Sequence, residues 1–279
     1  VANTLVGNNQ HAAVIEVAIG PFEIKVDAPV MIALCGHGFK VSITPSGQQA
    51  TIIYTNRSLL LPAGATLLVK NTARSGRLYI AVAGGFSIKP VFGSTSTDLY
   101  GGFGGYRGRC LQQGDMLPCA PPARLNNKAY QLRLAAPTFR IRALIGADYS
   151  MLSQASQQQF WQAQWQIDSN SNRMAARLQA KPLLFDHAAN TNLLSHAVLP
   201  GVVQLPPSGL PMVLLADAQT TGGYPRIAAV IEADLWQFAQ MPTGSHFSFI
   251  HCNQHEALKA LRQRRHQLER LKLGLKNNH

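Results

Sequence analysis

Phe22-Glu23-Ile24-Lys25-Val26-Asp27 alternates apolar and polar residues without a fault, which is the pattern of a strand with one face buried and the other in water. A helix is excluded there, because 3.6 residues per turn would scatter those apolar side chains around its axis. Short apolar runs recur at residues 14–19, 30–34, 41–43, 51–55, 59–61, 66–70 and 78–83, then at 130–134, 139–143, 161–167, 201–205, 212–216, 226–231 and 245–250. Turns such as Pro62-Ala63-Gly64-Ala65 separate them. The run at 78–83 is apolar on both faces, as a central strand requires. In 161–167 the alternation places Trp161 and Trp165 on one face of a strand. Helices are few. Ala2 to Val6 reads as a last helical turn stopped by Gly7 in the left-handed conformation, Asp234 as the cap of a short helix through Leu235 and Phe238, and the C-terminal residues as a basic helix. The chain is expected to be mainly β, in two barrel-like units joined by a Pro-bearing linker at 116–127.

Composition removes several classes. Charged residues are 14% and hydrophobic residues 46% of 279, so there is apolar surface enough to offset the entropy of ordering. No apolar run approaches the ~20 residues of a spanning helix, and no membrane partner is expected. The net charge of +12 invites a nucleic-acid reading. Its distribution weakens that reading. Residues 254–276 hold seven basic side chains against Glu256 and Glu269, a net of +5, and the remaining +7 is spread thinly over the rest. No nucleic-acid partner is expected. Cys35, Cys110, Cys119 and Cys252 form no CxxC pair and no zinc spacing, so four reduced thiols in a cytoplasmic protein are expected.

The missing motifs exclude whole chemistries. There is no GxxxxGK[ST] phosphate loop and no GxSxG elbow. His255-Glu256 does not continue into a zinc-protease motif, since Lys259 stands where the second histidine belongs, and none of the nine histidines has a ligand-spaced partner. No metal site is expected. No Met-Lys-Met biotinylation site is present, so no covalent biotin is expected on this chain.

The most pointed segment is Asp217-Ala218-Gln219-Thr220-Thr221-Gly222-Gly223-Tyr224-Pro225-Arg226. Its glycines permit positive φ and bare amides facing a ligand, its threonines and Gln219 supply donors, and Arg226 adds a planar cation. A pocket for a small anion and a tight hairpin with Tyr224 packed across it use the same residues. Both readings stand. Arg173 and Arg177, four apart in a region of sparse charge, either clamp a carboxylate or phosphate together or each make a surface ion pair. The hydroxyl cluster Gly93-Ser94-Thr95-Ser96-Thr97-Asp98 either caps a helix or binds an anion. Gly101 to Arg109 reads as an ordered loop more than as an RNA-binding tract, and Glu16 within an apolar strand as facing solvent.

Val202-Val203-Gln204-Leu205-Pro206-Pro207-Ser208-Gly209, followed by the 214–225 segment, resembles the carboxyltransferase-domain (subdomain A and B) family. That family takes in allophanate hydrolase subunit 2-like proteins, the C subunit of bacterial 5-oxoprolinase and a central region of urea amidolyase. Tyr79 to Phe86, the Gly93 to Leu99 cluster, Gly104 to Arg109 and Ser171 to Leu178 match it in the same order. The resemblance implies two cyclophilin-like β-barrel domains with a C-terminal α-helix: 1–117, N-terminally truncated because the family's opening Gly-Val-Pro-x-Ser-Gly-Ala-Met-Asp-like stretch does not precede Val1; 128–252; and a basic helix at 253–279.

The resemblance also implies a subunit of an ATP-dependent 5-oxoprolinase, opening the lactam of 5-oxo-L-proline to L-glutamate beside companion subunits B and A, with ATP bound at the level of the complex. Homo-oligomerisation is a further option. Alternatives from the same family are a regulatory binding protein that antagonises a histidine-kinase inhibitor, and a carboxyltransferase component of a biotin-dependent urea carboxylase-like system. Ala175 and Ala176 replace the family's Gly-Tyr, and Thr95 and Ala218 stand where relatives often carry Arg. The candidate catalytic groups are then Gln219, Thr220, Thr221, Gly222, Gly223 and Tyr224. The candidate substrate-binding groups are Arg173, Arg177, Gln204, Ser94 and Ser96.

Overall fold

The computed structural model describes residues 1–72, 76–121, 128–186 and 193–276. The chain forms two compact units, Val1–Ala135 with Leu268–His279, and Ala136–Gln267. It is mainly β, and among the described residues no helix is long and apolar enough to cross a membrane.

The first unit opens with a short helix, α1 (Ala2–Leu5), followed by Gly7 at φ +73°, a conformation in which a side chain would be strained. Eight strands follow: β1 (Ile15–Val17), β2 (Phe22–Lys25), β3 (Val30–Cys35), β4 (Phe39–Thr44), β5 (Thr51–Ile53), β6 (Arg57–Leu61), β7 (Thr66–Asn71) and β8 (Leu78–Val82). They pair antiparallel in two four-stranded sheets, β1-β8-β3-β6 and β2-β7-β4-β5. Ile32, Leu34, Leu78 and Ile80 from one sheet meet Val41, Leu67 and Val69 from the other in a single core. β2 is half-buried at Phe22 and Ile24 and exposed at Glu23 and Lys25, as its alternation requires. β8 lies between β1 and β3. Its second face is covered as well, since Ala33, Cys35 and Ala81 pack with Ala2 and Leu5 of α1. The Gly-rich stretch forms a small ladder of β9 (Thr97–Asp98) and β10 (Phe103–Gly104). Glu16 faces Arg77 at 3.4 Å on a partly exposed edge.

The second unit closes into a barrel. Its elements are β11 (Arg140–Ile145), α2 (Gln154–Gln162), β12 (Trp165–Ile167), β13 (Ala175–Gln179), β14 (His196–Ala197), β15 (Val202–Gln204), β16 (Met212–Leu214), β17 (Thr221–Gly222), β18 (Arg226–Val230), α3 (Glu232–Gln240) and β19 (His246–His251). The barrel order is β11-β18-β15-β16-β13-β12-β19, sealed by parallel pairing of β19 with β11. Phe160 plugs it from α2, stacking on Phe249 with ring centroids 4.7 Å apart, and Trp165 is fully buried beside it. The terminal helix α4 (Gln254–Lys276) carries the basic run.

Three expectations are corrected. The run 161–167 is not one strand: Trp161 and Gln162 belong to the last turn of α2, which starts at a Ser153 cap accepting from the Ser156 amide, and only Trp165–Ile167 forms a strand. The helix positions the two indoles separately. Trp161 Nε1 donates to the Tyr149 hydroxyl at 2.8 Å and Trp165 Nε1 to the Phe160 carbonyl at 3.0 Å. Residues 130–134 make an isolated Arg57–Gln131 bridge, anchored by Tyr130 and Leu132 backbone bonds to Ser58 and Asn56, rather than a strand. Asp234 does not cap α3, whose cap position is Ile231. It is buried in the first turn and grips Arg142, accepting from Nη2 at 2.7 Å and Nε at 2.9 Å. Of the stretch read as a linker, Pro118 and Ala120 bond back to Ser87 and Gly85, and residues 122–127 lie outside the described residues.

Candidate functional site

Two segments of the second unit build one cavity. The first is the turn leading into β13. Asp168 Oδ1 accepts from the Asn170 amide at 2.6 Å, and Asn172 Oδ1 from the amides of Met174 and Ala175 at 2.8 and 3.2 Å. Ser171 Oγ accepts from the Arg177 amide at 3.0 Å. Short polar side chains acting as local acceptors fold such a turn tightly. β13 then buries Ala175, Ala176 and Leu178 and leaves Arg177 and Gln179 exposed. The second segment runs from Pro206 through β16 to Tyr224.

Between the two lies a cavity of about 520 Å³, within the range of small-molecule sites. Arg177, Gln219, Tyr224, Asn170 and Asn172 line it, over an apolar floor of Met174, Leu178, Met212 and Leu214. Asp168 also lines it, and its second carboxylate oxygen accepts from Gln179 Nε2. The Arg177 guanidinium has no hydrogen-bond or ion-pair partner among the described residues, while Asp168 and Arg177 make the lining formally neutral.

The two arginines of the sequence pattern therefore part company. Arg173 donates to Asp217 through Nε at 2.6 Å and Nη2 at 3.0 Å, and its carbonyl accepts from the Asp217 amide. It fastens the β16 end to the β13 turn and does not line the cavity. Arg226, offered by the sequence as a ligand cation, is engaged too: its Nε and its amide donate to Asp148 at 3.0 and 2.9 Å. Burial raises the Asp148 carboxyl, but the hydrogen bonds and the charge of Arg226 outweigh burial and hold it below its ordinary value.

The glycine-bearing segment divides in the same way. Gln219 and Tyr224 line the cavity, whereas Thr220, Thr221, Gly222 and Gly223 do not. Thr221 and Gly222 form β17, paired with Ala197 and His196 of β14, and the Thr220 carbonyl accepts from the Val198 amide at 2.9 Å. Neither Gly222 nor Gly223 has a positive φ. Position 222 is crowded instead: a Cβ there would sit 2.7 Å from Gln204 Nε2, at the end of that side chain. Gln204 itself is completely buried and lies outside the lining.

Ser94 and Ser96 belong to the first unit. There Ser94 Oγ accepts from the Ser96 amide at 3.1 Å and Asp98 Oδ1 from the amides of Tyr100 and Gly101, so the cluster shapes a turn. The sequence reading missed Asp168, Asn170 and Asn172, although the Asp-Ser-Asn-Ser-Asn run just before Arg173 marked a tight polar turn.

Among the described residues, no group of three or more His, Cys, Asp or Glu is placed to hold a metal ion. Cys35 and Cys252 are buried and Cys110 and Cys119 exposed, all four unbridged. Burial pushes the Cys35 thiol up to about 11, which keeps it from acting as a thiolate nucleophile at neutral pH.

The chain is similar to known proteins along nearly its full length. It is 41% identical to the C subunit of 5-oxoprolinase from Escherichia coli (strain K12) over 277 residues, covering 99% of this chain and 87% of that one. It is 35% identical to the protein of the same name from Haemophilus influenzae, covering 97% and 85%. Its fold matches the crystal structure of the K. lactis urea amidolyase with a TM-score of 0.85 at 23% identity, over 97% of this chain and 17% of that one. The model of the carboxyltransferase domain, subdomain A and B, matches residues 1–251, and the chain belongs to that family.

Proposed function

We propose that this chain is the component of an ATP-dependent 5-oxoprolinase complex that holds 5-oxo-L-proline while its lactam is hydrolysed to L-glutamate. One observation carries the reading: a guanidinium without a protein partner among the described residues, Arg177, lines the same cavity as a carboxamide, Gln219. A planar guanidinium matches a carboxylate with two parallel hydrogen bonds. The Gln219 amide offers both a donor and an acceptor, the complement of the C=O and N–H that a lactam presents on one edge. The methylenes of the ring meet the floor of Met174, Leu178, Met212 and Leu214. The relatives are named as one subunit of a 5-oxoprolinase, which agrees with work beside companion subunits, here proposed as subunits B and A.

The reaction adds water across the lactam C–N bond. The water oxygen joins the carbonyl carbon and the ring nitrogen leaves as the amine, taking a proton. In this reading Arg177 fixes the carboxylate, Gln219 orients the amide, and the cavity walls limit the angles from which water reaches the carbonyl. A nucleoside triphosphate does not fit this lining, whose single guanidinium is balanced by Asp168. ATP is therefore assigned to the complex outside this cavity.

The test is reconstitution: the chain is co-expressed with its companion subunits and ATP-dependent glutamate release from 5-oxoproline is followed. Turnover that disappears when this chain is left out supports the assignment. Undiminished turnover without it, or turnover of urea with a biotinylated partner in place of 5-oxoproline, overturns it.

A further inference from the structure

Gln204 is among the few polar side chains buried in the second unit, and it is wholly inaccessible. Its chain neighbours Val203 and Leu205 are fully buried, and across the ladders it stands opposite Met212 of β16 and Arg226 of β18. A carboxamide removed from water is unfavourable unless its hydrogen bonds are made. Both of its described partners belong to the cavity wall. Nε2 donates to the Tyr224 carbonyl at 3.3 Å, and Oε1 accepts from Gln219 Nε2 at 3.5 Å. Both contacts are long for N–H···O bonds, and a carbonyl requires a donor, so Tyr224 favours the end of the Gln204 amide that faces it and with it a Gln219 that presents nitrogen inward. Gln219 is left with its oxygen and one N–H for a ligand.

Two further features serve this arrangement. The register of β15 against β18 shifts between Val203 and Gln204, a bulge of the kind that re-aims a side chain. Position 222 lacks a Cβ, and one placed there would stand 2.7 Å from Gln204 Nε2 and 3.4 Å from Oε1.

We infer that Gln204 is a positioning residue: from behind the wall it sets the Gln219 amide and Tyr224 in the orientation the cavity uses, and Gly222 keeps open the space its amide occupies. The inference rests on the function proposed above only for its kinetic consequence. An isosteric apolar side chain such as Met would fill the same volume, so the barrel packing alone does not require an amide.

The experiment uses the reconstituted complex with variants of this chain: Gln204→Met, Gly222→Ala, Gln219→Ala alone and with Gln204→Met, and Gln204→Ala alone and with Gly222→Ala. Loss of one buried hydrogen-bonding arrangement corresponds to roughly a 10- to 100-fold effect. kcat/KM for 5-oxoproline is expected to fall by about that factor in Gln204→Met and Gly222→Ala at temperatures where both remain folded, and Gln219→Ala is expected to cost little more when added to Gln204→Met. Gly222→Ala is expected to lower Tm in the natural background and to do so much less beside Gln204→Ala, where the atoms its methyl would strike are gone. Variants that lose Tm with unchanged kinetic constants, or a Gly222→Ala effect of equal size in both backgrounds, overturn the inference. If the unaltered complex does not turn over 5-oxoproline, the proposed function fails, and the Tm coupling between positions 222 and 204 still decides the placement of the amide.

Discussion

At the turn before β13 the Arg173 guanidinium is held by both oxygens of Asp217, while four residues later the Arg177 guanidinium lines a cavity without a partner among the described residues. The residue type is the same and the backbone continuous, and what separates the two is the partner. A bidentate carboxylate consumes the geometry by which an arginine recognises a ligand. The contrast teaches that a cation in this region is assigned by what already faces it and not by its spacing in the chain. Arg226, taken by Asp148, stands with Arg173.

The largest effect is expected at the free member of the pair. Arg177→Ala should raise KM for 5-oxoproline by roughly 100-fold, the range for a lost charge-assisted contact, with Tm nearly unchanged, as measured by steady-state kinetics and thermal unfolding. An unchanged KM would erase the distinction. Arg173→Ala is expected to behave in the opposite sense. The pair is about a third exposed on each side, so solvent screening limits its worth to about 1 kcal/mol, read as a small shift in the denaturation midpoint, with KM altered only a few-fold through the loosened β16 end. The smallest effect concerns the third arginine. Because the Asp148 carboxyl is held below its ordinary value, its stabilising contribution is complete above about pH 4, the unfolded-state value, and is lost as pH falls through the folded-state value. Asp148→Asn should flatten that part of the stability curve, by about 1 kcal/mol, as measured by denaturation across the acid range.

β2 and β4 of the first unit were legible because their alternate side chains are turned away from the core. β2, with Phe22 and Ile24 turned inward, shows its period directly. α2 was hidden for the converse reason: its nine residues hold only Phe160 and Trp161 as large apolar groups, so no apolar stripe announces it and Trp161 seemed to extend the alternation of β12. Barrel closure through parallel pairing of β11 with β19 joins segments about a hundred residues apart and leaves no local mark. At the site, the sequence pointed to the right segments but not to the right atoms. Gly222 and Gly223 look like positive-φ turn residues, yet neither adopts a positive φ, and a Cβ at 222 would meet the buried Gln204 amide at 2.7 Å. Likewise, nothing near Arg173 in the chain indicates that Asp217, 44 residues away, will engage it.

A crystal structure of this chain with 5-oxo-L-proline tests the central claim most directly. The account places the ligand carboxylate about 3 Å from the Arg177 guanidinium with the lactam edge against Gln219, and Arg173 still joined to Asp217. Ligand density away from the 520 Å³ cavity, or a carboxylate gripped by Arg173 with Asp217 displaced, would contradict it.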